Sequence, residues 1–196
     1  TWSICHMQTL TEYMKEHGQA HVESYPQQVE TVRRLIRENN VKSVMEIGFN
    51  AGHSCEVFLT SDPDIRVTSF DINQHGYTSY GVRYFAEHYP GRLEFIPGNS
   101  METVPVYPDK KFDLIFVDGA HDYSTALQDL HNCRRLAHKD TIVIMNNTVT
   151  NFRIFQHWND GPVRAWGDIR QDNLVKELFS EDYDMGRGMS VGKYSV

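Results

Sequence analysis

Residues 26–39 (PQQVETVRRLIREN) carry Val29, Val32, Leu35 and Ile36 at three- and four-residue spacings, the apolar stripe of an amphipathic helix. Pro26 opens that helix at a position where its missing N–H does no harm. The short apolar run from Val41 to Ile47 then ends at Gly48, and after a glycine-containing turn SCEVFLTS begins a second helix. The alternation repeats: RVTSFDI as a strand, SYGVRYFAEHY as a helix, LEFIPG and FDLIFVDG as strands, TALQDLHNCRRLA as a helix and TIVIMNN as a fifth strand. FDLIFV and TIVIM are continuously apolar rather than alternating, as strands of a parallel sheet are when helices cover both faces. The pattern therefore predicts an α/β, doubly wound, mostly parallel sheet with helices on both faces. Beyond Asn151, a helix is expected over GPVRAWGDIRQDNLVKELF, and the glycine-punctuated YDMGRGMSVGKYSV predicts a C-terminal antiparallel hairpin.

In such a sheet ligands sit beyond the carboxyl ends of the strands. The first strand end reads EIGFNAGHS, where glycines let backbone approach a ligand and the next helix start can hold a carboxylate or phosphate. Asn50 stands where the dinucleotide fingerprint G-x-G-x-x-G needs its second glycine, so a nicotinamide-dependent oxidoreductase fits poorly. A glycine turn without ligand is the plain alternative, but the second strand ends at Asp71, where an acidic residue of such folds accepts hydrogen bonds from ribose hydroxyls. The fourth strand ends in DGAHDY, which places Asp118 and His121 together: a carboxylate able to ligate a divalent cation and an imidazole able to take a hydroxyl proton. Helix capping by Asp118, with His121 in the following turn, is the structural alternative.

Together VMEIGFNAGHS, FDIN, PGNSME and FDLIFVDGAHDY resemble the class I S-adenosylmethionine-dependent methyltransferases, and within them the small sugar/catechol O-methyltransferases of the family 24-like type, over residues 25–195. The resemblance implies a Rossmann-like sheet and S-adenosyl-L-methionine as cofactor. Its cofactor-binding residues would be Glu46, Gly48, Asn50, Gly52, Ser54, Asp71, Asn99, Ser100 and Asp118. Gly48 and Gly52 would line the methionine part, Ser54 would bind its carboxylate, and Glu46 would orient the turn or meet the methionine amine. Asp71 would take the ribose hydroxyls, and Asn99 and Ser100 would border adenine. It implies His121 and Asp118 as catalytic, and Asp118, Asn146 and Asn147 as ligands of Mg²⁺ or Mn²⁺. Metal-dependent relatives carry an acidic residue at that fifth strand end; with two amides instead, a cation would be held more weakly. Tyr123, Arg164 and Trp166 would contact the acceptor. The reaction implied is methyl transfer to a hydroxyl of a sugar or glycan, with a catechol or phenol acceptor or a non-catalytic cofactor-binding protein as alternatives.

Composition narrows the partners. The chain's 196 residues, 40% of them hydrophobic, suit one globular domain over 1–196 with residues 1–24 as an N-terminal extension. The sequence starts at Thr1, so a piece of a longer protein stays open. A net charge of -7 argues against nucleic acid, which needs clustered Lys and Arg, and favours a small-molecule or glycan hydroxyl acceptor. No run approaches a membrane span and the amino end lacks a signal peptide's order, so a soluble, cytoplasmic protein without a membrane partner is expected. Cys5, Cys55 and Cys133 are too widely spaced for a metal motif, and His17 and His21 lack the protease-type Glu between them. A homo-oligomer stays open.

Overall fold

The structure, a computed structural model, describes residues 8–18, 25–149, 157–183 and 187–196. Part of the N-terminal extension, with Cys5 and His21, lies outside the described residues. Strands β1 (Ser43–Ile47), β2 (Arg66–Asp71), β3 (Leu93–Pro97), β4 (Phe112–Val117), β5 (Ala137–Asn146), β6 (Val175–Glu181) and β7 (Met189–Tyr194) form one sheet in the order β3-β2-β1-β4-β5-β7-β6. The first five run parallel, and β7 is antiparallel to both β5 and β6. The expected α/β sheet and C-terminal antiparallel strands are thus present. Helices α1 (Leu10–Glu16), α2 (Pro26–Glu38), α3 (His53–Ser61), α4 (Thr78–His88), α5 (Ser100–Val106), α6 (Tyr123–Arg134) and α7 (Asp160–Gln171) complete the described fold.

Side chains alternate across a strand, and here both sides are apolar. Val44, Leu114, Phe116, Ile142 and Ile144 face one buried cluster together with α2, α3 and α4. Met45, Ile47, Ile115, Val117, Val143 and Met145 face the other, which holds Leu130 and Cys133 of α6 and Trp166 and Ile169 of α7. Two layers of helix on one sheet therefore follow from the continuous apolar runs.

Two elements depart from the sequence pattern. The helix expected over 161–179 stops at Gln171: Asn173 adopts a φ of +56°, and the chain re-enters the sheet as β6. In VKELFSE the burial alternates residue by residue, a strand period written in helix-favouring residues. Helix α5 was hidden by Pro105 inside it; Asn99 starts it by accepting a hydrogen bond from the Met101 amide at 3.0 Å.

β1 and β4 end side by side. The Asp118 amide donates to the Ile47 carbonyl at 2.9 Å, and the Gly48 amide donates across β2 to the Phe70 carbonyl at 2.8 Å. Gly48 has a φ of +95°, and a Cβ there would lie 2.0 Å from the Asp118 carbonyl oxygen. Backbone conformation and close approach both demand glycine. Gly48→Ala is expected to destabilise by roughly 1–3 kcal/mol from the backbone alone, more with the clash. Thermal denaturation followed by circular dichroism should show a fall of several degrees, and an unchanged Tm would contradict this packing.

Candidate functional site

Beyond the ends of β1, β4 and β5 opens a cavity of about 560 Å³, within the range of small-molecule sites. Its floor is the turn that joins β1 to α3: Gly48, Phe49, Asn50, Ala51, His53 and Ser54 all line it. Asp118, His121, Asn146 and Asn147 form the opposite rim. The turn is held in place by Asp71, whose Oδ2 accepts from the Asn50 amide at 2.8 Å while its Oδ1 accepts from the Asn73 amide at 2.7 Å. Asn50 and Gly52 both have positive φ, and Gly52 begins α3 without any side-chain cap. His53 and Ser54 of that helix start line the cavity, and the positive end of the helix dipole there is a fit for an anionic group such as an amino-acid carboxylate.

Glu46 lies on β1 beneath this turn, 0% exposed. Ser69 donates to its Oε2 at 2.5 Å and Ser54, in the first turn of α3, donates to its Oε1. Of the two expected roles, orienting the turn matches this geometry. Ser54 lines the cavity but spends its hydroxyl on Glu46. Burial drives the Glu46 carboxyl up to about 7; the Ser54 and Ser69 hydrogen bonds oppose the rise, and Asp118 and Asp71 add to it.

At the rim, Asn147 has a φ of +59° and its backbone amide donates to the Gly188 carbonyl at 2.7 Å. Its side-chain Nδ2 lies 3.3 Å from Asp118 Oδ1 and 3.1 Å from His121 Nε2. An amide nitrogen only donates, so Nε2 of His121 is the acceptor in this contact. Asn146 Oδ1 accepts from Gln28 Nε2 of α2 at 2.9 Å. The set expected to ligate a cation is thus together in space, but its donor chemistry does not fit one. Asn146 offers a neutral oxygen that already accepts from Gln28, Asn147 turns N–H groups toward Asp118, and the set holds a single carboxylate. Among the described residues no group of three His, Cys, Asp or Glu could hold a metal ion.

Other expected residues fall elsewhere. Trp166 is 2% exposed in the cluster under α6, and its indole N–H donates to Glu177 at 2.5 Å. Arg164 lies 4.4 Å over the Tyr123 ring and pairs with Asp160, while the Tyr123 hydroxyl donates to Asp168 at 2.5 Å. Tyr123 and Arg164 join α6 to α7 and Trp166 packs against β6; none of the three lines the cavity. Asp71, Asn99 and Ser100 stand at the β2 and β3 ends, outside the cavity lining but on the side where the turn continues.

The aromatic wall comes instead from Tyr25, Tyr77 and Trp158, the last 38% exposed. Trp158 lies 5.9 Å from the His121 ring, and Arg187 sits over it at 5.5 Å. Gln28 was legible in principle as a polar residue one turn before Val32 on the buried stripe of α2; nothing in the sequence marked Trp158, which a 3₁₀ turn (His157–Asn159) delivers, or Arg187, which a loop delivers.

Comparison with known proteins places this geometry. A family model described as a methyltransferase domain matches residues 45–148, which hold the turn and the Asp118 to Asn147 rim. The O-methyltransferase imqG of Aspergillus flavus is 24% identical over 204 residues, covering 95% of this chain and 81% of that protein. Among solved structures, the SAH-bound methyltransferase of Podospora anserina superposes with a TM-score of 0.76 at 16% identity, covering 95% of this chain and 88% of that one. An O-methyltransferase of Bacillus cereus in complex with SAH gives 0.73 at 17% identity, covering 98% and 94%.

The buried Glu46 yields a pH prediction. Its folded-state pKa of about 7 lies above the ordinary 4.5, so the folded protein holds the extra proton. Stability is then full below the ordinary value and declines as pH rises through about 7, by at most on the order of 3 kcal/mol. Melting temperatures measured across that range should fall in the ligand-free wild type, and Glu46→Gln should flatten that component. An identical slope in the variant would contradict the assignment.

Proposed function

The chain belongs to the methyltransferase-domain family, and on that premise we propose that it moves a methyl group from S-adenosylmethionine to a hydroxyl oxygen of a small acceptor held against His121. The observation that carries this reading is the meeting of Asp118, His121 and Asn147 on one rim of the cavity whose floor is the glycine turn. Relatives of similar architecture are O-methyltransferases by name, and one was solved with SAH.

The residues fit the cofactor. The uncapped start of α3 and the Gly48–Ser54 turn would hold its methionine carboxylate, Asp71 would accept from the ribose hydroxyls with the lone pairs left by Asn50 and Asn73, and Asn99 and Ser100 would border the adenine. When bound, the cofactor supplies an electrophilic methyl on a sulfonium. The chain's own work is placement and proton removal. His121 presents Nε2 as an acceptor, the state a general base needs, and Asn147 ties the ring to Asp118. An acceptor hydroxyl that displaces the Asn147 N–H from the single Nε2 lone pair gives up its proton there as oxygen attacks, with Trp158 and Tyr25 excluding water.

The wall chemistry favours a hydroxyl on a flat ring. Tyr25, Val29, Val32, Phe116 and Trp158 offer few hydrogen bonds to the several hydroxyls of a sugar but suit an aromatic face. A phenol, near the ~10 of tyrosine, is also the more acidic oxygen. A sugar or glycan hydroxyl is the second reading, favoured by the Asp118-x-x-His121 spacing.

Transfer of labelled methyl to a panel of phenols and sugars tests the function; product from a phenol and none from the sugars is expected. His121→Ala should lower kcat by roughly 10²–10⁴-fold with cofactor affinity nearly unchanged. Normal turnover in that variant would remove His121 as the base. Asp71→Ala should weaken cofactor binding in calorimetry by about 1.5–3 kcal/mol, and undiminished affinity would displace the ribose from Asp71.

A further inference from the structure

We propose that this site works without a divalent cation because the Asn147 carboxamide occupies its place, using both N–H groups to join Asp118 and His121; the proposal rests on the reading of the rim as the acceptor side. Mg²⁺ and Mn²⁺ need oxygen ligands close to the metal, at roughly 2.0–2.1 Å for Mg²⁺, and a compact set of negative or carbonyl oxygens. Asp118 would have to be the anchor. Beside it, at 3.3 Å from Oδ1, stands the amide nitrogen of Asn147, whose hydrogens carry positive partial charge. A cation on Asp118 would meet those hydrogens rather than lone pairs.

The orientation of Asn147 is dictated by its neighbours. Turned the other way, its carbonyl oxygen would face the Asp118 carboxylate oxygen, an acceptor with no hydrogen to share. Its backbone is fixed as well, in a left-handed conformation with the amide bonded to Gly188 at the start of β7. Asn146 brings no negative charge, and one lone pair of its oxygen is taken by Gln28 of α2. Of the other carboxylates, Asp71 stands at the end of β2 outside the cavity lining and Glu46 is buried beneath the turn under two hydroxyls. A neutral hydrogen-bond bridge thus stands where a charged ion would be needed, and Asn147 acts as a positioning residue that ties the His121 ring to Asp118.

One substitution separates this account from a merely weak metal site. Asn147→Asp removes both N–H groups and adds a carboxylate facing Asp118 and His121, which should create a cation site. Binding of Mn²⁺ is read directly, by electron paramagnetic resonance of the free ion and by calorimetry, with circular dichroism confirming the fold of each protein. Wild type should show no saturable Mn²⁺ binding, whereas Asn147→Asp should bind one ion per chain at least tenfold more tightly than wild type, and Asn147→Ala should bind none. Methyl transfer by wild type should be unchanged by EDTA and by added Mg²⁺. Saturable Mn²⁺ binding to wild type that disappears in Asp118→Asn would overturn the proposal, and so would Asn147→Asp that binds no better than wild type. Calorimetry with S-adenosylhomocysteine is run on the same proteins: its failure would remove the methyltransferase reading, while the Mn²⁺ titrations decide the cation question on their own.

Discussion

The close approach of β1 to β4 is the constraint on which the site depends. With Gly48 too near the Asp118 carbonyl to carry a Cβ, the two strand ends are brought within one hydrogen bond of each other. That contact puts the glycine turn and the DGAHDY segment on opposite sides of a single opening rather than in separate loops. β5 follows β4 in register, Met145 opposite Val117, so Asn146 and Asn147 arrive at the same level. The antiparallel β7 then fixes Asn147 from the far side through the Gly188 carbonyl. Each functional side chain is thus placed by the end of a rigid strand, the kind of support that holds reacting groups to small tolerances.

Electrostatics work within that frame. Three carboxylates, Glu46, Asp71 and Asp118, lie close enough for the second and third to raise the pKa of the first. The chain manages them separately: Glu46 is buried under two hydroxyls, Asp71 is capped by two backbone amides, and Asp118 is bridged to His121 through an amide. A bound sulfonium would bring positive charge to a place these groups have made favourable to it.

Much of this was legible in the sequence, for physical reasons. Continuous apolar runs in FDLIFV and TIVIM require cover on both faces, so the doubly wound class followed directly. The strand ends could be found because a strand's last apolar residue is a sharp boundary; Asp71, Asp118, Asn146 and Asn147 stand at such boundaries, and His121 follows in the short connection from β4 to α6. What stayed hidden depends on tertiary partners. Trp166 looked like a pocket wall and is core, because the neighbours of α7 are set by the sheet and not by its own residues. Val175–Glu181 reads as helix until the hairpin gives its backbone a partner in β7. Amide direction at Asn147 cannot be read from a string of letters, since it is decided by which neighbours accept.

The central claim is that the turn after β1 and the rim after β4 and β5 form one cofactor and acceptor site. Backbone amide resonances recorded during a titration with S-adenosylhomocysteine test it most directly. The account predicts saturable shifts concentrated at residues 48–54, 71–73 and 118–121, with one ligand bound per chain and little change in β6. Shifts confined to other surfaces, or no saturable response at millimolar ligand, would contradict it.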